Sequence, residues 1–190
     1  MEDQIAISRI KQGDLTGLEI LVNRYQVQAV QAAYAIVYDR ALAEDIAQTA
    51  FVKVVEKVQQ FDEERAFAPW LFRIVVNDAI KLAKKQKRTI SLEEQLDEPT
   101  AKLANWLADS NPKPEQILEH QEMRGIILKA MQSLTPEQRA VIVMRYFLEM
   151  SEADMVAKLE RPLSTVKWWL RDARDRLRKL LSSTQVEDGS

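Results

Sequence analysis

An all-α fold is predicted by three features of the sequence. Apolar residues recur at helical spacing along most of the chain, only four of 190 residues are glycine, and capped helix starts stand where polar stretches give way to apolar ones. The charges add a division into two helical domains joined by an acidic linker. Residues 1–88 carry 13 basic and 12 acidic side chains, residues 89–121 two and seven, and residues 122–190 twelve and ten. The linker run Glu93-Glu94-Gln95-Leu96-Asp97-Glu98-Pro99 and the Asn111-Pro112-Lys113-Pro114 stretch resist long helices, with room for a turn or two around Leu103, Trp106 and Leu107.

Four helices are predicted in the first domain, residues 1–88. Ile5 to Lys11 ends at Gly13-Asp14. Leu15 to Tyr38 carries Leu18, Leu21, Val22, Tyr25, Val30 and Ala33, and Ala41 to Val58 carries Ile46, Phe51, Val54, Val55 and Val58. Asp62-Glu63-Glu64-Arg65 is a polar loop. The fourth helix runs from Phe67 to Lys87, with Trp70, Leu71, Ile74 and Val75 at helical spacing and Lys81, Lys84, Lys85, Lys87 and Arg88 at its end. Those cations suit the helix dipole as well as a polyanion.

In the second domain, residues 122–184, Thr135-Pro136-Glu137-Gln138 is a capping box: Thr135 accepts from the Gln138 amide, Gln138 reaches back, and proline sits where no donor is needed. A helix through Phe147 follows. Ser151-Glu152-Ala153-Asp154 repeats the start signal for a short helix with Met155, Val156 and Leu159 on its apolar side, ended by Arg161-Pro162. The next helix has an apolar stripe at Val166, Leu170, Ala173, Leu177 and Leu180. Ser164, Trp168, Arg171, Asp172 and Asp175 point away from it, Lys167, Arg174 and Arg178 line one shoulder, and Trp169 borders the stripe half-buried. From Arg161 to Lys179, seven cations stand against Asp172 and Asp175. Two capped starts, a proline-marked turn and an exposed tryptophan in a basic face describe a helix-turn-helix, whose second helix reads duplex bases near its N-terminus and holds phosphates farther along. Residues 185–190 read as a disordered tail.

Several function classes are excluded or disfavoured. The chain has no cysteine and one histidine, His120 in the linker, so disulfides and thiolate metal sites are excluded and no metal or cofactor is expected. No Gly-rich phosphate loop or paired histidines offer an enzyme mechanism. No run approaches the roughly 20 apolar residues that a bilayer requires, so no membrane insertion is expected and a cytoplasmic location is the simplest reading.

Gly13-Asp14, Ala43 to Phe51, Phe67 to Asn77, Leu134 to Arg139 and Ser164-Thr165-Val166-Lys167, in this order and spacing, resemble the extracytoplasmic-function (ECF) bacterial sigma factors. The resemblance covers both domains and implies a region 2-like domain followed by a region 4-like one. It implies a dissociable subunit of RNA polymerase that contacts the β′ clamp helices and the β flap of the core enzyme. It also implies promoter DNA as partner, single-stranded at −10 and duplex at −35. In the first domain it assigns the −10 strand to the Phe61 to Phe67 loop, including Asp62 and Arg65, and to Trp70, Asn77, Lys81, Lys84, Lys85 and Arg88. Trp70 at its spacing fits a core position as well as a stacking surface. Asp45, Gln48 and Phe51 lie in the clamp-docking segment, Phe51 as core and the other two as exposed contacts. The −35 face comprises Ser164, Thr165, Lys167, Trp168, Arg171, Asp172, Arg174 and Arg178. Trp168-Trp169 and Asp172 depart from the family's usual residues; tryptophan covers a thymine methyl, whereas Asp172 could accept from a cytosine amino group. Lys81 stands where the family often has an acidic residue. An anti-sigma factor is a further partner that the resemblance allows. The alternative reading is a stand-alone helix-turn-helix transcriptional regulator.

Overall fold

The computed structural model describes residues 2–90, 127 and 130–187, with side chains for 2–86, 127 and 130–180. Most of the acidic linker, with His120, Leu103, Trp106 and Leu107, lies outside the described residues, as do residues 188–190. Among the described residues all regular structure is helical, and no helix is long and apolar enough to cross a membrane. The chain divides into two compact units, Met1–Lys85 and Gln86–Ser190.

In the first unit, α1 (Glu2–Lys11), α2 (Thr16–Val37), α3 (Arg40–Lys57) and α4 (Phe67–Ile90) are joined by short turns, with a 3-10 turn at Val58–Gln60 before the loop into α4. The α1 helix starts three residues earlier than its apolar spacing suggests. Glu2 and Asp3 in its first turn favour the dipole and both meet Arg24 Nη1, at 3.2 and 3.1 Å. Asp3 Oδ2 also accepts from the Tyr25 hydroxyl at 2.6 Å; burial, then the neighbouring carboxylate, push that phenol up to about 12. The turn into α2 is made by Gly13 at φ +85° and by Asp14, which accepts from the Thr16 amide and hydroxyl. Tyr38 ends α2 in the left-handed conformation, its N–H donating to Tyr34 O. Asp39 then caps α3 by accepting from Leu42 N at 3.0 Å. Ile7, Leu21, Ile36, Ile46, Val54, Leu71 and Val75 are fully buried among these helices.

The second unit contains α5 (Pro136–Ile142), α6 (Glu152–Leu159) and α7 (Leu163–Glu187). Both capping boxes form with reciprocal bonds. The helix expected through Phe147 instead widens after Ile142 into a π-turn, Val143–Phe147. Leu148 N donates to Val143 O and Met150 N to Met144 O, which brings Met150 inward beside fully buried Met144. The α6 helix stops at Glu160, left-handed at φ 53°, one residue before Arg161-Pro162. Pro162 belongs to the next start, where its carbonyl accepts from Thr165 and Val166. Val166, Leu170 and Ala173 of the α7 stripe are buried, but Leu180 is exposed, so the stripe ends earlier than its periodicity suggests. The helix itself runs past residue 184 to Glu187, into the segment expected to be disordered.

Candidate nucleic-acid interface

On α4, residues 70, 77, 81, 84 and 88 recur at intervals that a helix of 3.6 residues per turn brings onto one face. Asn77, Lys81, Lys84 and Lys85 are exposed and Trp70 is half-buried; Arg88 belongs to α4 but its side chain lies outside the described residues. From Trp70 to Lys84 this stripe is roughly 21 Å long at 1.5 Å per residue. It begins on an aromatic surface and continues as amide and ammonium groups, the order that suits a stacked base followed by its phosphate backbone.

Trp70 is half-buried, its inner face resting on Phe61 at 4.8 Å and on Phe67 at 5.9 Å between ring centroids. Phe67 in turn meets Tyr25 at 5.6 Å, so an aromatic chain links α2 to the start of α4. Phe61 and Phe67 are only 6% and 2% exposed. That corrects their assignment as strand contacts: they back Trp70 and offer no ring face of their own. Phe61 lies outside any α-helix, where no periodicity reveals burial, whereas Phe67 opens α4 four residues before buried Leu71. The loop's outward side is polar. Asp62 Oδ1 accepts from Glu64 N and Asp62 Oδ2 from Arg65 Nε, each at 3.1 Å, so two expected strand contacts pair with one another.

The neighbouring helix presents a different surface. Asp45, Gln48 and Thr49 of α3 are exposed with Val52, 57% exposed, one turn on, while Phe51 is buried as expected. A groove of about 210 Å³ between α3 and α4 is lined by Asp45, Ile46, Thr49, Lys53, Asp78, Lys81 and Leu82. Lys53 and Asp78 close its side with an ion pair of 2.6 Å. Lys81 thus borders both this groove and the α4 stripe.

In the second unit the exposed face of α7 carries Ser164, Lys167, Trp168, Arg171, Arg174, Asp175 and Arg178, with Thr165 half-buried. Trp168 is 52% exposed, and Trp169 is half-buried at the edge of the stripe. Asp172 departs from expectation. Its carboxylate accepts from the side-chain amide of Gln138 and pairs with Arg176 at 3.0 Å, so it ties α7 to α5 and is not presented to a base. Gln138, 2% exposed, also completes the capping box: its Oε1 accepts from Thr135 N at 2.9 Å and its backbone N–H donates to Thr135 Oγ1 at 3.3 Å. One buried amide therefore starts α5 and orients α7.

Sequence reasoning missed Lys11. Its Nζ donates to Phe61 O at 3.0 Å and to Glu63 Oε1 at 2.7 Å, while Lys11 O accepts from Gln59 Nε2 at 2.8 Å. Partners about 50 residues away leave no local signal.

Comparison with known proteins agrees with this arrangement of two units. Residues 21–89 match the family model for sigma-70 region 2, and residues 124–177 match that for sigma-70 region 4. The chain is 30% identical over 177 residues to the ECF RNA polymerase sigma factor SigW of Bacillus subtilis, covering 92% of this chain and 94% of that protein. It is 28% identical over 178 residues to the ECF RNA polymerase sigma-E factor of Escherichia coli K12, covering 92% of each. Among solved structures, CnrH in complex with the cytosolic domain of CnrY has a similar fold, with a TM-score of 0.64 at 23% identity over 96% of this chain and 99% of that one. The sigma factor RpoE in complex with the anti-sigma factor NepR from Bartonella quintana gives 0.62 at 21% identity, over 92% and 98%.

Proposed function

Because the chain belongs to the ECF RNA polymerase sigma factors, it is a polymerase subunit that binds promoter DNA and directs promoter-specific transcription, and we propose how its residues divide that work. The first unit holds the non-template strand of the −10 element along α4. Trp70 supplies a half-open stacking face, Asn77 a polar contact, and Lys81, Lys84, Lys85 and Arg88 follow the phosphates. Melting needs no bond making or breaking by the protein, because captured single strand shifts the equilibrium of a duplex that opens transiently. The second unit lies in the major groove of the −35 element through Ser164, Thr165, Lys167, Trp168 and Arg171, with Arg174 and Arg178 on phosphates. Asp172 is left out of the base-reading set. Asp45 and Gln48 dock on the β′ clamp helices, with Val52 as an apolar neighbour, and the second unit approaches the β flap.

The observation that carries this reading is the α4 stripe, in which an aromatic face backed by Phe61 and Phe67 leads into a row of cations. A stand-alone regulator needs no such stripe. Co-purification with bacterial core polymerase, followed by run-off transcription on genomic fragments, tests it. Promoter-specific transcripts are expected only with both components, and tight duplex binding without polymerase would favour the stand-alone regulator.

Two surfaces should separate in mutants. Trp70→Ala is expected to spare core binding and to lower thymine reactivity in permanganate footprinting of the −10 region by about tenfold, since a stacked base is worth about 1–3 kcal/mol. Asp45→Arg should instead weaken capture by core polymerase in a pull-down, and full retention would remove α3 as the docking face. An anti-sigma partner belongs to the same proposal. One of the solved structures above is of a sigma factor bound to an anti-sigma factor and the other is of CnrH bound to a CnrY domain, and the exposed Asp45, Gln48 and Val52 surface is one that a competitor for polymerase would cover.

The paired tryptophans should fail differently. Trp169→Ala opens a void beside the α7 stripe and should destabilise the second unit, with about 3–5 kcal/mol as the limit for a fully buried ring. Trp168→Ala should leave the melting temperature nearly unchanged and alter the preferred −35 sequence, because one apolar base contact is lost while phosphate contacts persist. Selection from a randomised −35 library reads this directly. An unchanged preference in a stable Trp168→Ala protein would remove the tryptophan from the base-reading set.

A further inference from the structure

We infer that Lys11 is a positioning residue for −10 base selection: from α1 it holds the loop of residues 61–66 in the shape that meets the displaced strand. The inference rests on the proposed role of α4 and on the −10 role that the family resemblance implies for that loop. Three observations support it. Lys11 Nζ joins the two sides of the loop's entry, donating at 3.0 Å to the Phe61 carbonyl and at 2.7 Å to the Glu63 carboxylate. Gln59 holds the C-terminal carbonyl of α1 at 2.8 Å, so the helix end and the 3-10 turn before the loop form one closed ring of hydrogen bonds. A fourth, longer contact from Gln4 Nε2 to Glu63 O, at 3.5 Å, reaches the loop from an earlier turn of α1.

The loop cannot supply this rigidity itself. Its internal bonds, from Asp62 to Glu64 N and to Arg65, close only a local turn, and those side chains are exposed. Phe61 and Phe67 anchor its two ends in the core, which determines where the loop leaves and returns but not the path between them. Lys11 is the cation that reaches over this path. Its side chain is only 22% exposed, and each contact is charge-assisted, the class that is short and directional. A captured base is discriminated only if its polar partners are held in place before it arrives, since ordering them on binding would cost part of the selectivity. The family model begins at residue 21, so α1 and Lys11 lie outside the matched segment.

Lys11→Met keeps the aliphatic stem and removes the ammonium. Holoenzyme reconstituted from core polymerase and the full chain would transcribe a promoter library randomised over both elements, with transcripts counted by sequencing. Expected is a fall of about tenfold in discrimination at one −10 position, the factor that loss of one charge-assisted hydrogen bond amounts to, with −35 preference and core affinity unchanged. Gln59→Ala, outside the loop and exposed, should shift the same position in the same direction by less, and it carries the test if Lys11→Met does not fold. An unchanged −10 preference in the folded variants would overturn the inference. So would a uniform loss of transcription over all library members, which is the mark of a merely structural lysine. If the wild-type protein itself showed no −10 preference, the proposed reading of α4 and its loop would fall first, and that result is visible before any variant is made.

Discussion

Replacing Gln138 by glutamate should unfold the second unit at neutral pH and abolish −35 recognition, although glutamate is a favoured capping-box residue. Sequence rules alone would judge the change harmless, because a carboxylate at this position accepts from Thr135 N as well as an amide does. The amide, however, makes a second bond. Its nitrogen donates to Asp172 of α7, and a glutamate there would set two carboxylates against each other at a site 2% exposed. A buried charge without a partner costs about 3–5 kcal/mol, a large share of the stability of a domain this small. Gln138→Met, which loses both side-chain bonds but adds no charge, should cost only about 1–3 kcal/mol. Thermal unfolding followed by circular dichroism separates the two. Equal stability of the glutamate and methionine variants would show that a second carboxylate facing Asp172 adds no cost.

In the first unit the largest effect is expected from the smallest substitution, Gly17→Ala. A Cβ built at Gly17 would stand 2.2 Å from the Ala6 carbonyl oxygen, and 3.0 Å from both Arg9 Cβ and Ile10 Cγ1. The nearest obstacle is backbone, so no rotamer change relieves it, and α1 must move away from α2. Overpacking of this kind costs about 3 kcal/mol, equivalent to at least about 12 °C in melting temperature for a domain of this length. The movement also draws Lys11 from the loop, so −10 discrimination should fall even below the melting point. A drop under about 4 °C would mean that α1 slides along α2 without losing its contacts.

What could be read in the sequence follows from distance along the chain. Both helix starts join residues three apart and both are legible in the sequence, the first with its reciprocal bonds and the second as a start signal only. The α4 stripe and the exposed face of α7 follow from helical spacing alone, so Asn77, Lys84, Trp168 and Arg171 fall on outward faces as their intervals require. The errors lie where partners are remote. Asp172 looked outward because it falls beside Trp168 and Arg171 in the helical projection, yet a partner 34 residues earlier draws it inward. Phe61 precedes a loop, where no period distinguishes an outward ring from one that backs Trp70, and Phe67 opens α4, where helical spacing from Leu71 does point inward. Lys11 was invisible because its partners are remote. The π-turn was hidden more locally: Met144 and Met150 could both be buried only by widening the last turn, which no propensity in Val143 to Phe147 foretells.

The ion pairs along α7 bear on ionic strength. Seven cations between Arg161 and Lys179 would suggest that many counterions leave the DNA when this helix binds. At least three of the seven already have carboxylates: Lys167 with Glu152 at 3.7 Å, Arg176 with Asp172 at 3.0 Å, and Arg178 with Asp175 at 3.1 Å. A phosphate that takes one of them exchanges one anion for another. A cation that stays with its carboxylate neutralises no phosphate and drops about 0.9 from the slope of log affinity against log salt, so the dependence is expected to be shallower by up to about three than the cations alone imply. Grip on random duplex, which is almost wholly counterion release, is reduced in the same proportion, whereas contacts to base edges are untouched. Glu152, Asp172 and Asp175 are therefore expected to compete with the sugar–phosphate backbone for these cations, shortening the dwell of this unit on random duplex.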